Sequence, residues 1–164
     1  MLFKMKQVFP TDANITKKLG KTLSNRVINR REEGIKYLKE AITLYKKDNN
    51  QEEVCKLTLY YFYHLLNHEE FDTLNEEIEY YKSDIVDWPG FHRFLGVFKQ
   101  NLGRPEEDII NEFEKAIDKS RTDEEKLKSI EVLLSFLIKL DVKKYATKIV
   151  DLKNHNLRLT SAKR

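Results

Sequence analysis

Apolar residues recur every three or four positions along most of this chain, the spacing that lays one stripe along a helix. Ile15, Leu19, Leu23 and Val27 form such a stripe behind Thr11 and Asp12, either of which can cap a helix by accepting a backbone N–H, so a helix is expected over 12–29. Ile35, Leu38, Ile42 and Tyr45 give the next, over 32–47, stopped by Asp48, Asn49 and Asn50. Val54, Leu57, Tyr61 and Leu65 mark 52–67, and Phe71, Leu74, Ile78 and Tyr81 mark 69–82. Asp87, Trp88, Pro89 and Gly90 then form a turn, because proline cannot continue a helix and glycine tolerates positive φ. Further helices are expected over 90–101, 105–119, 123–140 and 142–153. Almost no stretch alternates as a strand would. The expectation is an all-α fold of short helices joined by short loops.

Helices that come in consecutive pairs call for a search for a fixed period. Phe91-His92-Arg93-Phe94-Leu95-Gly96, then Leu102-Gly103-Arg104-Pro105-Glu106-Glu107, then Phe113-Glu114-Lys115-Ala116-Ile117 is one candidate unit. Gly96 would let the two helices of a hairpin approach, Gly103 would take the left-handed conformation at their turn, and Ala116 would let the next hairpin lie close. Looser copies run through Leu19-Gly20 with Gly34, Leu38 and Ala41, through Tyr61-Phe62 with Leu74, Ile78 and Tyr81, and through Leu133-Leu134 with Asp141, Ala146 and Val150. Gly34, Leu74, Ile109 and Ala146, the residues that should face the hairpin partner, are 40, 35 and 37 positions apart. The pattern resembles the tetratricopeptide repeat, whose period is about 34. That resemblance implies about four antiparallel hairpins over 12–153, stacked as a short right-handed superhelix. Phe9-Pro10-Thr11-Asp12 resembles a junction between such repeats, so residues 1–11 are expected to be the end of an incomplete hairpin or an N-terminal extension. Residues 154–164 lose periodicity and are expected to fray as a basic tail.

Composition narrows the class. The chain has 164 residues, 40% apolar, 35% charged and 11% aromatic, with only five Gly and three Pro, which suits a helical domain with a core and argues against disorder. No run of about 18 uncharged apolar residues occurs, so no membrane partner is implied. Lys4 and Lys6 break the short apolar stretch that might imitate a signal peptide, and a cytoplasmic protein is expected. The single cysteine, Cys55, rules out a disulfide framework and fits a reducing compartment. The net charge of +3 hides an asymmetry. Residues 1–31 hold eight Lys and Arg against Asp12 alone, and 143–164 hold seven against Asp151 alone, so the body between them is acidic.

Candidate chemistry is thin. His64 and His68 stand at the i, i+4 spacing that can share a metal, with Glu69 beside them, but no third ligand completes a set and none is assigned. Cys55 lies between Val54 and Leu57 in an apolar stripe and reads as a small hydrophobe. The glycines make no phosphate-binding loop, and the paired acids sit in first helical turns, where the helix dipole accounts for them. No catalytic residue, cofactor or metal is assigned, and the chain is expected not to be an enzyme.

The resemblance does imply a binding surface, because stacked hairpins line their concave side with first helices. The groove positions it implies are Asn14, Lys17 and Lys21 in the first copy, Lys56, Leu59 and Tyr63 in the second, Gly90, Arg93 and Val97 in the third, and Lys128, Glu131 and Ser135 in the fourth. Five cations fall among them, which points to another protein or an acidic peptide segment as partner. The alternative is RNA or DNA bound through the basic ends, chiefly Lys18, Arg26, Arg30 and Arg31 beside Lys17 and Lys21. Leu2, Phe3, Val8 and Phe9 would present apolar surface at the same end, so a homodimer through the N-terminus is also expected.

Overall fold

The computed structural model describes residues 1–25 and 30–161. Among these, every regular element is an α-helix, so the all-α expectation holds. Residues expected as one repeat domain, 12–153, are distributed over two compact units, Met1–Ile85 and Val86–Arg164.

The first unit holds α1 (Leu2–Val8), α2 (Ala13–Leu23), α3 (Arg31–Lys47), α4 (Gln51–Leu66) and α5 (Phe71–Ile85). Caps fix several ends: Asp12 Oδ1 accepts from the Ile15 N–H at 2.8 Å, and Asn50 Oδ1 accepts from Glu53 at 3.2 Å. Leu19, Leu38, Ile42, Val54, Leu57, Tyr61, Phe62, Leu65 and Leu74 are fully buried, so the stripes read from the sequence are the core. The first expected helix is shorter than its stripe suggested. It stops at Leu23, where the Ser24 N–H bonds back to the Gly20 carbonyl at 3.0 Å. Val27 and the rest of that expected helix, 26–29, lie outside the described residues.

The N-terminal residues form a helix of their own packed on α2. Lys6 ties it down, donating to Thr16 Oγ1 at 2.6 Å and to Glu40 Oε1 at 2.6 Å, while Phe3 meets Tyr37 edge-on at 6.4 Å. No α1 residue is buried, and Phe3, Val8 and Phe9 stay exposed.

The second unit holds α6 (Pro89–Asn101), α7 (Glu106–Asp118), α8 (Asp123–Leu140) and α9 (Ala146–Ser161). Pro89 takes the first position of α6, where its missing N–H costs nothing. Its core joins Ile109, Ile110, Phe113, Leu133, Phe136, Leu137 and Ile149. A Cβ built on Gly96 would stand 2.3 Å from the Phe113 ring, so that glycine does bring the helices of its hairpin together. Gly103 turns the chain with φ of 63°, and nothing lies within 4 Å of where its Cβ would be. Gly103→Ala should therefore cost about 1 kcal/mol through backbone strain alone, measured by urea unfolding. A loss several times larger would mean that packing is involved.

The last helix departs from expectation. Asp141 Oδ1 accepts from the Lys143 and Lys144 N–H groups at 2.8 and 3.1 Å, which holds a turn where a helix was expected from 142. The helix starts at Ala146 and runs to Ser161, so residues 154–161 of the tail expected to fray are helical. Ile149 is buried and Leu152, His155 and Leu159 are half-buried at helical spacing, a stripe that the His and Asn residues obscure in the sequence. Ala146, expected to face its hairpin partner, is exposed; Tyr145 packs on the core instead, and its hydroxyl donates to Glu106 Oε2 at 2.7 Å.

Several polar contacts inside each unit join residues 36 or 38 positions apart. In the first, Lys17 pairs with Glu53, 36 residues on, and Lys39 with Glu77 and Lys46 with Asp84, each 38 on. In the second, Arg93 bonds Ser129, 36 on, and Glu106 is paired by Lys144, 38 on. These contacts join α2 to α4, α3 to α5, α6 to α8, and the start of α7 to the turn before α9. Each unit thus joins alternate helices side by side. No helix among the described residues is long and apolar enough to cross a membrane.

Candidate binding surfaces

On the α2–α4 face of the first unit, the implied groove residues are held by their own neighbours. Asn14 Oδ1 accepts from the Tyr45 hydroxyl at 2.7 Å. Lys17 bonds Glu53 at 2.6 Å and lies over the Tyr45 ring at 5.3 Å. Burial alone would lower the Lys17 amine, but its bonds to Glu53 and Tyr45 outweigh that and raise it; the same bond, above all, lowers the Glu53 carboxyl. Lys21 lies over the Tyr60 ring at 4.4 Å, and its amine is lowered by burial and then by the charge of Lys17. Lys56 pairs with Glu52 one turn back, Tyr63 is exposed, and Leu59 is buried. Lys17 thereby joins α2 to α4.

Among the described residues of the nucleic-acid alternative, Arg30 and Arg31 line one open cleft with Glu32, Glu33 and Lys36. Lys18 is exposed. Arg30 pairs with Glu33 at 2.5 Å and lies over Phe3 at 4.9 Å. Arg31 pairs with Glu70 and donates through Nε to His64 Nε2 at 2.9 Å. Arg26 lies outside the described residues. The His64–His68 pair has structural work to do, since His68 Nδ1 donates to the His64 carbonyl at 2.8 Å and the rings sit 4.5 Å apart. Cys55 is buried, as its place in the stripe suggested.

The α6–α8 face of the second unit is different, because there the implied residues meet around an open cleft of about 420 Å³. Arg93, Val97 and Gln100 line it from α6; Lys128, Glu131, Val132, Ser135, Phe136 and Lys139 line it from α8; Phe113 of α7 contributes to its lining. Arg93 Nη1 donates to the buried Ser129 hydroxyl at 2.8 Å, which fixes the guanidinium at one end. Phe113 and Phe136 pack edge to face at 5.6 Å in the apolar part, flanked by half-buried Val97 and Val132. Lys128 is paired with Glu124 at 2.6 Å, but both side chains are more than half exposed, where such a pair contributes only a few tenths of a kcal/mol and exchanges readily. Lys139 carries no ion pair among the described residues. Of the implied groove residues, Arg93, Val97, Lys128, Glu131 and Ser135 are brought to one place.

A charged cluster built on the buried His92 and Glu112 lies on the α6–α7 hairpin, and the sequence reading passed over it. His92 Nε2 lies 2.9 Å from the Val86 carbonyl oxygen and its Nδ1 2.9 Å from Glu112 Oε2. Glu112 Oε1 also accepts from Lys99 at 2.9 Å and Lys115 at 3.1 Å. Burial would raise the Glu112 carboxyl, but the bonds from His92, Lys99 and Lys115 overcome it and hold the group at about 2. Glu112 is set in the apolar stripe of α7 between Ile109 and Ala116, and a charge in such a position was the available signal.

Compared with known proteins, the chain matches no protein family, no curated protein and no solved structure.

Proposed function

We propose that the chain is a non-catalytic helical-repeat module of tetratricopeptide type that holds a segment of another protein in the α6–α8 cleft. The observation that carries this reading is the convergence of Arg93, Val97 and Lys128, from two helices, around an open cleft with an apolar part. Cations at the rim and apolar surface beneath suit a peptide that is partly acidic and partly hydrophobic. The polar residues of the α2–α4 face support a lesser role there, because Lys17 and Lys56 already have carboxylate partners.

The test selects binders for the full chain from a displayed random dodecapeptide library, then titrates the best of them into wild type and into a variant carrying Arg93→Glu and Lys128→Glu. Affinity should fall at least tenfold in the variant, with circular dichroism unchanged. A parallel titration with single-stranded RNA at two salt concentrations addresses the alternative. Peptide binding indifferent to the α6–α8 reversals, together with salt-dependent RNA binding lost on Arg30→Glu and Arg31→Glu, would overturn the reading.

A further inference from the structure

The residues along α8 give the cleft a length and a charge pattern. Lys128 and Lys139 stand at its two ends, with Val132 and Phe136 between them. At about 1.5 Å of helix rise per residue these ends are about 16 Å apart. Arg93 adds its charge at the Lys128 end, because it bonds Ser129. Val97 and then Gln100 follow along α6 toward the other end. Glu131 sits between the two lysines, so a second carboxylate midway would meet a like charge.

Resting on the interaction reading above, we propose that the cleft selects an extended segment with a carboxylate at each end of a short apolar stretch. An extended chain advances about 3.3 Å per residue and alternates its faces, so the two carboxylates belong about six positions apart, an even spacing that turns both toward the cleft and that the flexible lysine side chains can span. One meets Arg93 and Lys128, the other meets Lys139, and the apolar side chains between them cover Val97, Val132 and Phe136. Charge complementarity at both ends and apolar contact in the middle together choose this occupant. A uniformly acidic segment satisfies the ends alone, and a uniformly apolar one the middle alone.

The probe is the peptide acetyl-Gly-Asp-Leu-Val-Ser-Phe-Ser-Asp-Gly-amide, in which both Asp, Val and Phe share one face when extended, titrated into the full chain and followed through the methyl resonances of Val97 and Val132. Three companions change one property each: the acids brought two positions apart, both acids replaced by lysine, or Leu, Val and Phe replaced by serine. Each companion should bind at least tenfold more weakly. The variant Lys139→Glu should lose about tenfold for the parent peptide and should prefer one of the two peptides in which a single Asp is exchanged for Lys, an exchange of preference that general damage to the fold would not produce. Equal binding of all acidic peptides whatever their spacing, or no reversal with Lys139→Glu, would overturn the two-ended selection while leaving the interaction reading intact. If library-selected peptides also leave the Val97 and Val132 resonances unmoved, both fall.

Discussion

Replacing Gly34 by alanine should destabilise the Met1–Ile85 unit by about 3 kcal/mol or more. A Cβ at that position would stand 2.4 Å from the Ser24 nitrogen, 2.9 Å from the Gly20 carbonyl oxygen and 2.9 Å from the Leu23 carbonyl carbon, all of them backbone atoms. Side chains can rotate away from an added methyl, whereas backbone at the end of α2 can yield only if α2 and α3 separate. Overpacking of a tight interior usually costs about 1–3 kcal/mol, and a contact with backbone belongs at the upper end or beyond. Domains of this size have only about 5–15 kcal/mol to lose. Gly96→Ala offers a graded comparison, since its obstacle is the Phe113 side chain, and Gly103→Ala has no obstacle at all. Urea unfolding of the three variants should rank the losses Gly34, then Gly96, then Gly103. A Gly34 variant no less stable than the Gly103 variant would mean that α2 and α3 are not in such close contact.

That ranking also shows which features were legible in the sequence. Stripe, breaker and glycine signals are local, and they located eight of the helices with ends mostly right to within a few residues. Gly96 and Gly103 could be given their roles from spacing because hairpin packing leaves few alternatives for a glycine in mid-helix or at a turn. The start of α9 was misplaced because Asp141 uses its side chain to hold a turn, a choice between two local hydrogen-bonding patterns that periodicity does not resolve. The groove register was legible as positions but not as partners. Lys17 and Arg93 stand at equivalent positions of the implied register, and Lys17 pairs with Glu53 whereas Arg93 bonds Ser129 and lines the cleft. The partner lies 36 residues further along in both, Glu53 in one case and Ser129 in the other. The separation of 36 residues that joins each pair appears only when the helices are stacked.

Glu112 is the position at which charge should matter most to stability. Its carboxylate is buried, and both oxygens are engaged by His92, Lys99 and Lys115. Glu112→Ala removes the acceptor and leaves the buried His92 without its partner, a loss of about 3 kcal/mol by comparison with broken buried ion pairs. Glu112→Gln keeps the shape and one acceptor oxygen but removes the charge, so it should cost less. The dependence on pH follows from the direction of the shift. Burial disfavours the charged carboxyl, the three donors favour it more, and the folded value is held at about 2 against an ordinary value near 4.5. A carboxyl lowered on folding stabilises the native state above its unfolded value, and that contribution disappears as pH falls toward the folded one. Wild type should therefore exceed Glu112→Gln at pH 5, and the margin should shrink progressively as pH falls from about 4.5 toward 2. Urea unfolding of both proteins at pH 7, 5, 4 and 3 reads this directly, and subtracting one curve from the other removes the contribution of every shared carboxylate. A margin that stays constant to pH 3 would show that Glu112 stabilises the hairpin through packing, not through its charge.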